Sequence, residues 1–120
     1  MLIATTHKNT DFDALASVIG ATLLYPDCIG VVPKMTNRNV DQFLSTHKTA
    51  FDLVLPNEID HEKVEKLIVV DTDQWHRLDR MEKLRKRKDL EIDIWDHHMT
   101  GKGDIKATWE VREHIGSTVT

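Results

Sequence analysis

One cysteine, three prolines and one tyrosine are all that this 120-residue chain holds of those residue types. The lone Cys28 excludes an internal disulfide and fits a reducing, cytoplasmic setting. No apolar stretch is long enough to span a bilayer, so no membrane partner is expected. No basic segment followed by a cleavable apolar stretch opens the chain, so no secretory signal is visible. A basic surplus is also lacking. Lys and Arg number 16 against 20 Asp and Glu, a net charge of −4, which argues against a dedicated duplex-DNA binder. There is no internal repeat, no low-complexity segment and no linker. What remains is 40% apolar and 30% charged, the composition of a soluble globular domain or part of one, with a modest core.

Hydrophobic periodicity alternates strands with helices. "MLIATT" (1–6) reads as a strand, and "DALASVIGATLLY" (13–25) as a helix carrying Leu15, Val18, Ile19, Leu23 and Leu24 at helical spacing. "CIGVVP" (28–33) is a second strand ended by Pro33. A helix follows over 39–48 with Val40, Phe43 and Leu44 inward, then a short strand over 51–55 and a helical turn over 59–66. "KLIVVDT" (66–72) has the strongest strand pattern. The spacing of Leu78, Met81 and Leu84 or Arg85 predicts a helix over 77–88, before a strand over 90–96. The stretch from Ile105 onward mixes signals. This alternation implies an α/β fold with a mainly parallel sheet flanked by helices. Near-continuous apolar runs suit strands covered on both faces. The final "GSTVT" is a small-residue cluster of the kind that opens a helix, so the ending is expected to be a cut inside a larger protein.

Three polar clusters stand directly after three of these strands. They are His7, Asp11 and Asp13; Asp71 and Asp73; and Asp96, His97 and His98. In a parallel sheet all strand C-terminal ends share one edge, where open α/β folds place ligands. The clusters should therefore meet in one crevice. Carboxylates with imidazoles suit divalent transition metals such as Mn²⁺, Fe²⁺ or Zn²⁺. Gathered aspartates without a cation would raise each other's pKa, and two bound cations remove that cost. Two-metal sites hold ions roughly 3.5–4 Å apart and activate a water for attack on phosphorus. Asp11 and Asp13, two apart in a loop, can turn toward one point, although Asp13 could equally cap the helix that follows. Asp71 and Asp73 could each be a strand-end turn residue, and a lone His7 a polar loop residue. The joint occurrence at three strand ends favours a site.

"HKNTDFD" (7–13), "VVDTD" (69–73), "DHH" (96–98) and "GSTVT" (116–120) together resemble the motif series of the DHH phosphoesterase superfamily. That group includes exonucleases, oligoribonucleases, cyclic-dinucleotide phosphodiesterases and family II inorganic pyrophosphatases. The stretch "NRNVDQFLSTHKTAFDL" further resembles DHH domains fused to CBS and tRNA nucleotidyltransferase/poly(A) polymerase-like modules. The resemblance implies a Rossmann-like DHH domain, truncated at its C-terminal end, with residues 1–120 as its N-terminal part and the second, substrate-closing domain absent. It implies two Mn²⁺ ions, with Mg²⁺ as the alternative. His7 and Asp11 would bind the first metal, Asp13 and His97 the second, and Asp71 would bridge both. Asp96 would orient His97, and Asn9 would hold the loop shape. His98 would face the substrate phosphate as hydrogen-bond donor or general acid. The implied activity is hydrolysis of a phosphoester or phosphoanhydride in a nucleotide or short oligonucleotide. The alternative is a nucleotide- and metal-binding regulatory module in a larger fusion that meets tRNA through its other modules. The "DTD" of 71–73, where family II pyrophosphatases show Asp-His-Asn, argues against pyrophosphate as substrate. The later metal-binding Asp of the family lies beyond "GSTVT", so the isolated chain is expected to be weakly active or inactive, and prone to self-association.

Other features have plainer readings. "KLRKRK" (83–88) is expected to be a solvated helix face, with phosphate-backbone contact as the alternative. Lys102, between glycines in "GKGD", could reach a substrate phosphate or simply sit in a turn. Trp75, Trp95 and Trp109 could stack on bases, although Trp95 falls within a strand and is expected in the core. The Asp71-x-Asp73 spacing also matches haloacid-dehalogenase phosphatases, a reading that leaves His7, Asp11, Asp13, His97 and His98 without a role.

Overall fold

Runs such as "LIAT" and "KLIVV" have no polar side to turn toward water, and the structure covers both of their faces. The computed structural model describes residues 1–47, 53–72, 74–96, 105 and 109–112, with 96 and 109–112 described as backbone. In chain order the elements are β1 (Leu2–Thr5), α1 (Phe12–Leu24), β2 (Cys28–Val31), α2 (Arg38–His47), β3 (Leu53–Val54), β4 (Lys66–Val70), α3 (Glu82–Arg85), β5 (Glu91–Asp96) and β6 (Trp109–Arg112). Single 3₁₀ turns occupy Pro56–Glu58, His61–Lys63 and Trp75–Arg77.

Among the described residues six strands pair in the order β3-β2-β1-β4-β5-β6, every pair parallel. The chain winds outward from β1 to β3, then returns to lay β4 on the other side of β1. The direction of winding therefore reverses between β1 and β4. Loops leaving two such strands diverge, which opens a crevice at their C-terminal ends. The α/β fold with a parallel sheet matches the reading from hydrophobic periodicity.

Alternate residues along each strand feed two layers. Ile3, Leu67, Val69, Ile92 and Ile94 pack on one side with Trp75, Leu78, Met81 and Leu84. Ala4, Ile68, Val70 and Trp95 pack on the other with Val18 and Ala21 of α1. Leu15, Val32 and Val40 join α1 to α2, helped by an edge-to-face contact between Phe12 and Phe43. Asp93 is the polar member of the α1-side layer. It is buried and neutralised by Lys66 Nζ at 3.0 Å. Its carboxylate in turn raises the Lys66 pKa.

Several elements differ from expectation. Leu23 and Leu24 are exposed, and the buried stripe of α1 is Ala14, Leu15, Ser17, Val18 and Ala21. Leu23 lies five residues beyond Val18, roughly 140° round a helix of 3.6 residues per turn, so both cannot face the sheet. No continuous helix spans 77–88. A 3₁₀ turn ends at Arg77, Arg80 adopts a left-handed conformation (φ 56°), and α3 is only four residues long. Leu78, Met81 and Leu84 are nevertheless all buried. The interruption follows from tertiary partners that claim the segment's polar groups. Leu78 bridges to His7, the Asp79 carboxylate accepts from the Lys34 N–H, and the Arg80 carbonyl meets His61 Nε2 at 2.9 Å. Arg87, in the basic run, is half-buried and donates to the carbonyls of His61 and Val64, while Lys83, Arg85, Lys86 and Lys88 are exposed. The helical turn expected over 59–66 shrinks to His61–Lys63, because Lys66 already belongs to β4.

α1 can lie close on β2 because position 30 is glycine. A Cβ there would come within 2.6 Å of Leu53 Cδ2, 3.1 Å of Val18 Cγ1 and 3.2 Å of Thr22 Cγ2. Leu53 can rotate away, but the two helix contacts cannot both relax without moving α1. Gly30→Val should therefore lower stability by about 1–3 kcal/mol, seen as a reduced urea midpoint. An unchanged midpoint would show that α1 sits further from the sheet than this packing requires.

Candidate metal centre

The crevice is built from the last residues of β1 and β4. Beyond Leu2–Thr5 the chain splays over its neighbours. The Thr5 hydroxyl donates to the Val31 carbonyl of β2 at 2.7 Å, and the Thr6 hydroxyl to the Val70 carbonyl of β4 at 2.8 Å. Both threonines are fully buried. They tie three strand ends together and deliver His7 to the middle of the sheet edge. Nothing in the sequence reading singled them out, although paired Thr at a strand end, each with a donor to spend, is a visible signal.

His7 is buried, and its two ring nitrogens have different partners. Nδ1 lies 2.8 Å from the Lys8 carbonyl, which can only accept, so Nδ1 carries a proton. Nε2 then faces Asp71 Oδ2 at 3.3 Å. Such an orientation, one nitrogen anchored to a carbonyl and the other presented, is how ligating histidines are usually held. The hydrogen bond to Asp71 raises the His7 pKa above its ordinary 6.5, against the opposing effects of burial and the nearby Arg77 charge.

Asp71 follows β4 and is also buried. Its backbone is left-handed (φ 63°), and its N–H donates to the Trp95 carbonyl of β5 at 2.8 Å. For a non-glycine residue this conformation costs roughly 1–2 kcal/mol. It turns the carboxylate back over β1 rather than outward along the strand. Asn9 is left-handed too (φ 58°), and asparagine tolerates this well. Its N–H donates to the Met35 carbonyl, and the Thr10 hydroxyl closes the turn on the His7 carbonyl at 2.9 Å.

Asp11, not Asp13, caps α1. Its Oδ1 accepts from the Ala14 N–H at 2.8 Å, and the carboxylate keeps a second oxygen for the crevice. One ligand atom each from His7, Asp11 and Asp71 lies within 4.8 Å of the others. An imidazole nitrogen with two carboxylates is a donor set suited to a first-row divalent cation. Asp13 stands inside the first turn of α1, apart from this trio, because the helix begins at Phe12 and places the two aspartates in different backbone environments. Asp96 is the last residue of β5, next to β4 at the same sheet edge. Asp73, His97, His98 and Lys102 lie outside the described residues.

A cavity of about 420 Å³ opens beside the trio, lined by His7, Lys8, Asn9, Asp11, His76 and Arg77. Another, of about 320 Å³, lies between α2 and β3 and is mainly aliphatic, with Asp41 the one carboxylate among its described lining residues. Among the described residues no helix is long and apolar enough to cross a membrane.

The family model for the DHH family, N-terminal domain, matches residues 1–120. This chain is a member of the DHH family. The family belongs to the phosphoesterase superfamily. The DHH domain is 31% identical, over its whole length, to the A-adding tRNA nucleotidyltransferase of Geobacter sulfurreducens, and spans 14% of that protein. Its fold is shared with an exopolyphosphatase-related protein from Bacteroides fragilis at a TM-score of 0.71 and 19% identity, covering 98% of this chain and 36% of that one.

The charge state of His7 predicts how the site responds to pH. In the cation-free protein the raised pKa means that protonated His7 contributes stability fully below about 6.5. That contribution is lost as pH rises through the raised value. A cation must displace the same proton, so affinity should increase as pH rises through and beyond 6.5. Calorimetric titration with Mn²⁺ between pH 6 and 8.5 checks this. A flat affinity over that range would remove His7 from the ligand set.

Proposed function

We propose that this DHH domain hydrolyses a phosphoester or phosphoanhydride of a nucleotide or short oligonucleotide through a dinuclear Mn²⁺ site. The observation that carries the reading is the convergence of His7, Asp11 and Asp71 at the reversal point of the sheet. His7 Nε2 and Asp11 would hold one cation, Asp13 and His97 the other, with Asp71 shared between them. Bound divalent cations would supply Lewis acidity at a phosphoryl oxygen and an acidified water. The protein's own contribution is orientation. The Lys8 carbonyl holds the His7 tautomer, the helix cap holds Asp11, and the left-handed turn aims Asp71. His98 would donate a hydrogen bond or proton to the substrate phosphate, and Asp96 would steady His97.

The family and the solved neighbour support a hydrolase of phosphate esters or anhydrides. A second reading is favoured by the match to a nucleotidyltransferase of which this domain would form 14%. There the domain would bind metal and nucleotide as a regulatory unit, and tRNA would be met by other modules. The buried thiol of Cys28, pushed up to about 11 by desolvation, is unreactive and suits a reducing, cytoplasmic setting.

Two substitutions separate the assigned roles. In the intact protein Asp71→Ala should reduce Mn²⁺-dependent turnover by more than about 100-fold, since even the partners of metal ligands are worth 10–100-fold. His98→Ala should slow turnover while leaving Mn²⁺ affinity close to wild type. Equal loss of metal in both variants would contradict the division of roles.

The family model describes an N-terminal domain, which supports reading residues 1–120 as the first part of a catalytic unit whose substrate-closing domain lies elsewhere. On that reading the 120-residue chain alone should fold and bind Mn²⁺ weakly, with little or no hydrolysis, because an open crevice leaves water to screen the charges. Assay of the isolated chain beside a longer form decides this; equal turnover would show the second domain to be dispensable.

A further inference from the structure

We propose that Lys8 and Arg77 form a second phosphate subsite beside the His7–Asp11–Asp71 trio, taking the phosphate next to the one being hydrolysed. The inference rests on the hydrolytic reading above and extends it to substrate class: the preferred substrate carries at least two neighbouring phosphates.

The cavity of about 420 Å³ falls within the roughly 300–1,000 Å³ usual for ligand pockets. His7 and Asp11 line it. The other residues lining it include Lys8, His76 and Arg77, all exposed. Cations beside an acidic cluster ordinarily serve to neutralise it. Here the side chains of Lys8 and Arg77 make no ion pair or hydrogen bond with any other described residue, although Asp11 lines the same cavity. Arg87 makes the contrast, since its guanidinium is spent on Asp89 and two carbonyls. The two uncommitted cations are also held in fixed register by backbone alone. The Lys8 N–H donates to the Arg77 carbonyl at 2.7 Å, and His7 bridges to Leu78. The loop that delivers His7 is therefore fastened to the loop that delivers the guanidinium. A guanidinium fork matches two non-bridging phosphate oxygens, and an ammonium adds a point charge. His76 adds a ring N–H donor from the same 3₁₀ turn.

Because the fastening is made by main-chain groups, side-chain truncation at 8 or 77 should leave the fold intact. The test uses the longer form that carries the substrate-closing domain, compares hydrolysis of the dinucleotide ApA with that of its 5′-phosphorylated form pApA in Mn²⁺, and measures tripolyphosphate binding by calorimetry. Wild type should favour pApA. Arg77→Ala should cut that preference by about 10–100-fold, mainly through KM, the value expected for one charge-assisted contact. Arg77→Lys should restore part of it, and Lys8→Ala should act in the same direction. Tripolyphosphate affinity should fall by a similar factor; a larger effect on pApA would identify an oligonucleotide source, and a larger effect on tripolyphosphate an inorganic chain. An unchanged pApA preference and unchanged tripolyphosphate affinity in the Lys8→Ala/Arg77→Ala double variant overturns the subsite while leaving hydrolysis standing. Absence of Mn²⁺-dependent turnover on every substrate, with tripolyphosphate affinity still falling in the variants, overturns the hydrolytic reading and keeps the subsite.

Discussion

The contact of His7 Nε2 with Asp71 Oδ2 joins residues 64 apart in sequence, and it exists because β1 and β4 are direct neighbours in the sheet. That neighbourhood is itself the point where winding reverses. A simple sequential order would have placed β2 and β3 between them and separated the imidazole from the carboxylate. The rest of the site is arranged around this one pairing. Thr5 and Thr6 clamp the strand ends, Lys8 sets the tautomer, and the left-handed turn at Asp71 brings its carboxylate back over β1.

The arrangement gathers buried polarity and backbone strain at one sheet edge. Asp71 and His7 are both buried, and a buried ion pair seldom stabilises a protein by itself. The backbone at Asp71 adds conformational strain. Strain and buried polarity gathered at one sheet edge are what a prearranged binding site requires. Elsewhere the domain is ordinary in its packing. Aliphatic residues fill both layers, and Asp93, the buried acid in β5, is met directly by Lys66.

Much of this was legible in the residues. Apolar runs marked β1, β2, β4 and β5, and their alternation with helices implied a parallel sheet. That implication carries the polar residues after β1 and β4 to one edge. His7, Asp11 and Asp71 could be named because a strand followed by carboxylates and imidazoles is a local pattern. The segment after β4 departs from its periodicity: Leu78, Met81 and Leu84 repeat at a spacing that suits one face of a helix. The same spacing also lets a chain dip three times into a core while turning at Arg80. Periodicity reports which side chains are buried and is silent on the backbone path between them.

By itself the sequence determined β1, β2, β4 and β5, the helices α1 and α2, the two-faced burial of the central strands and the chemistry available at their ends, since each depends on residues close together in the chain. Tertiary structure alone decided the rest. Strand order made β1 and β4 adjacent. The start of α1 at Phe12 made Asp11 the cap and set Asp13 apart from the trio. Docking of the loop at 7–10 against residues 35–37 and 77–78 brought Lys8 and Arg77 to the same cavity. These are pairings between distant segments. They arise from the free energy of closing the whole sheet, and no short stretch of residues carries that information.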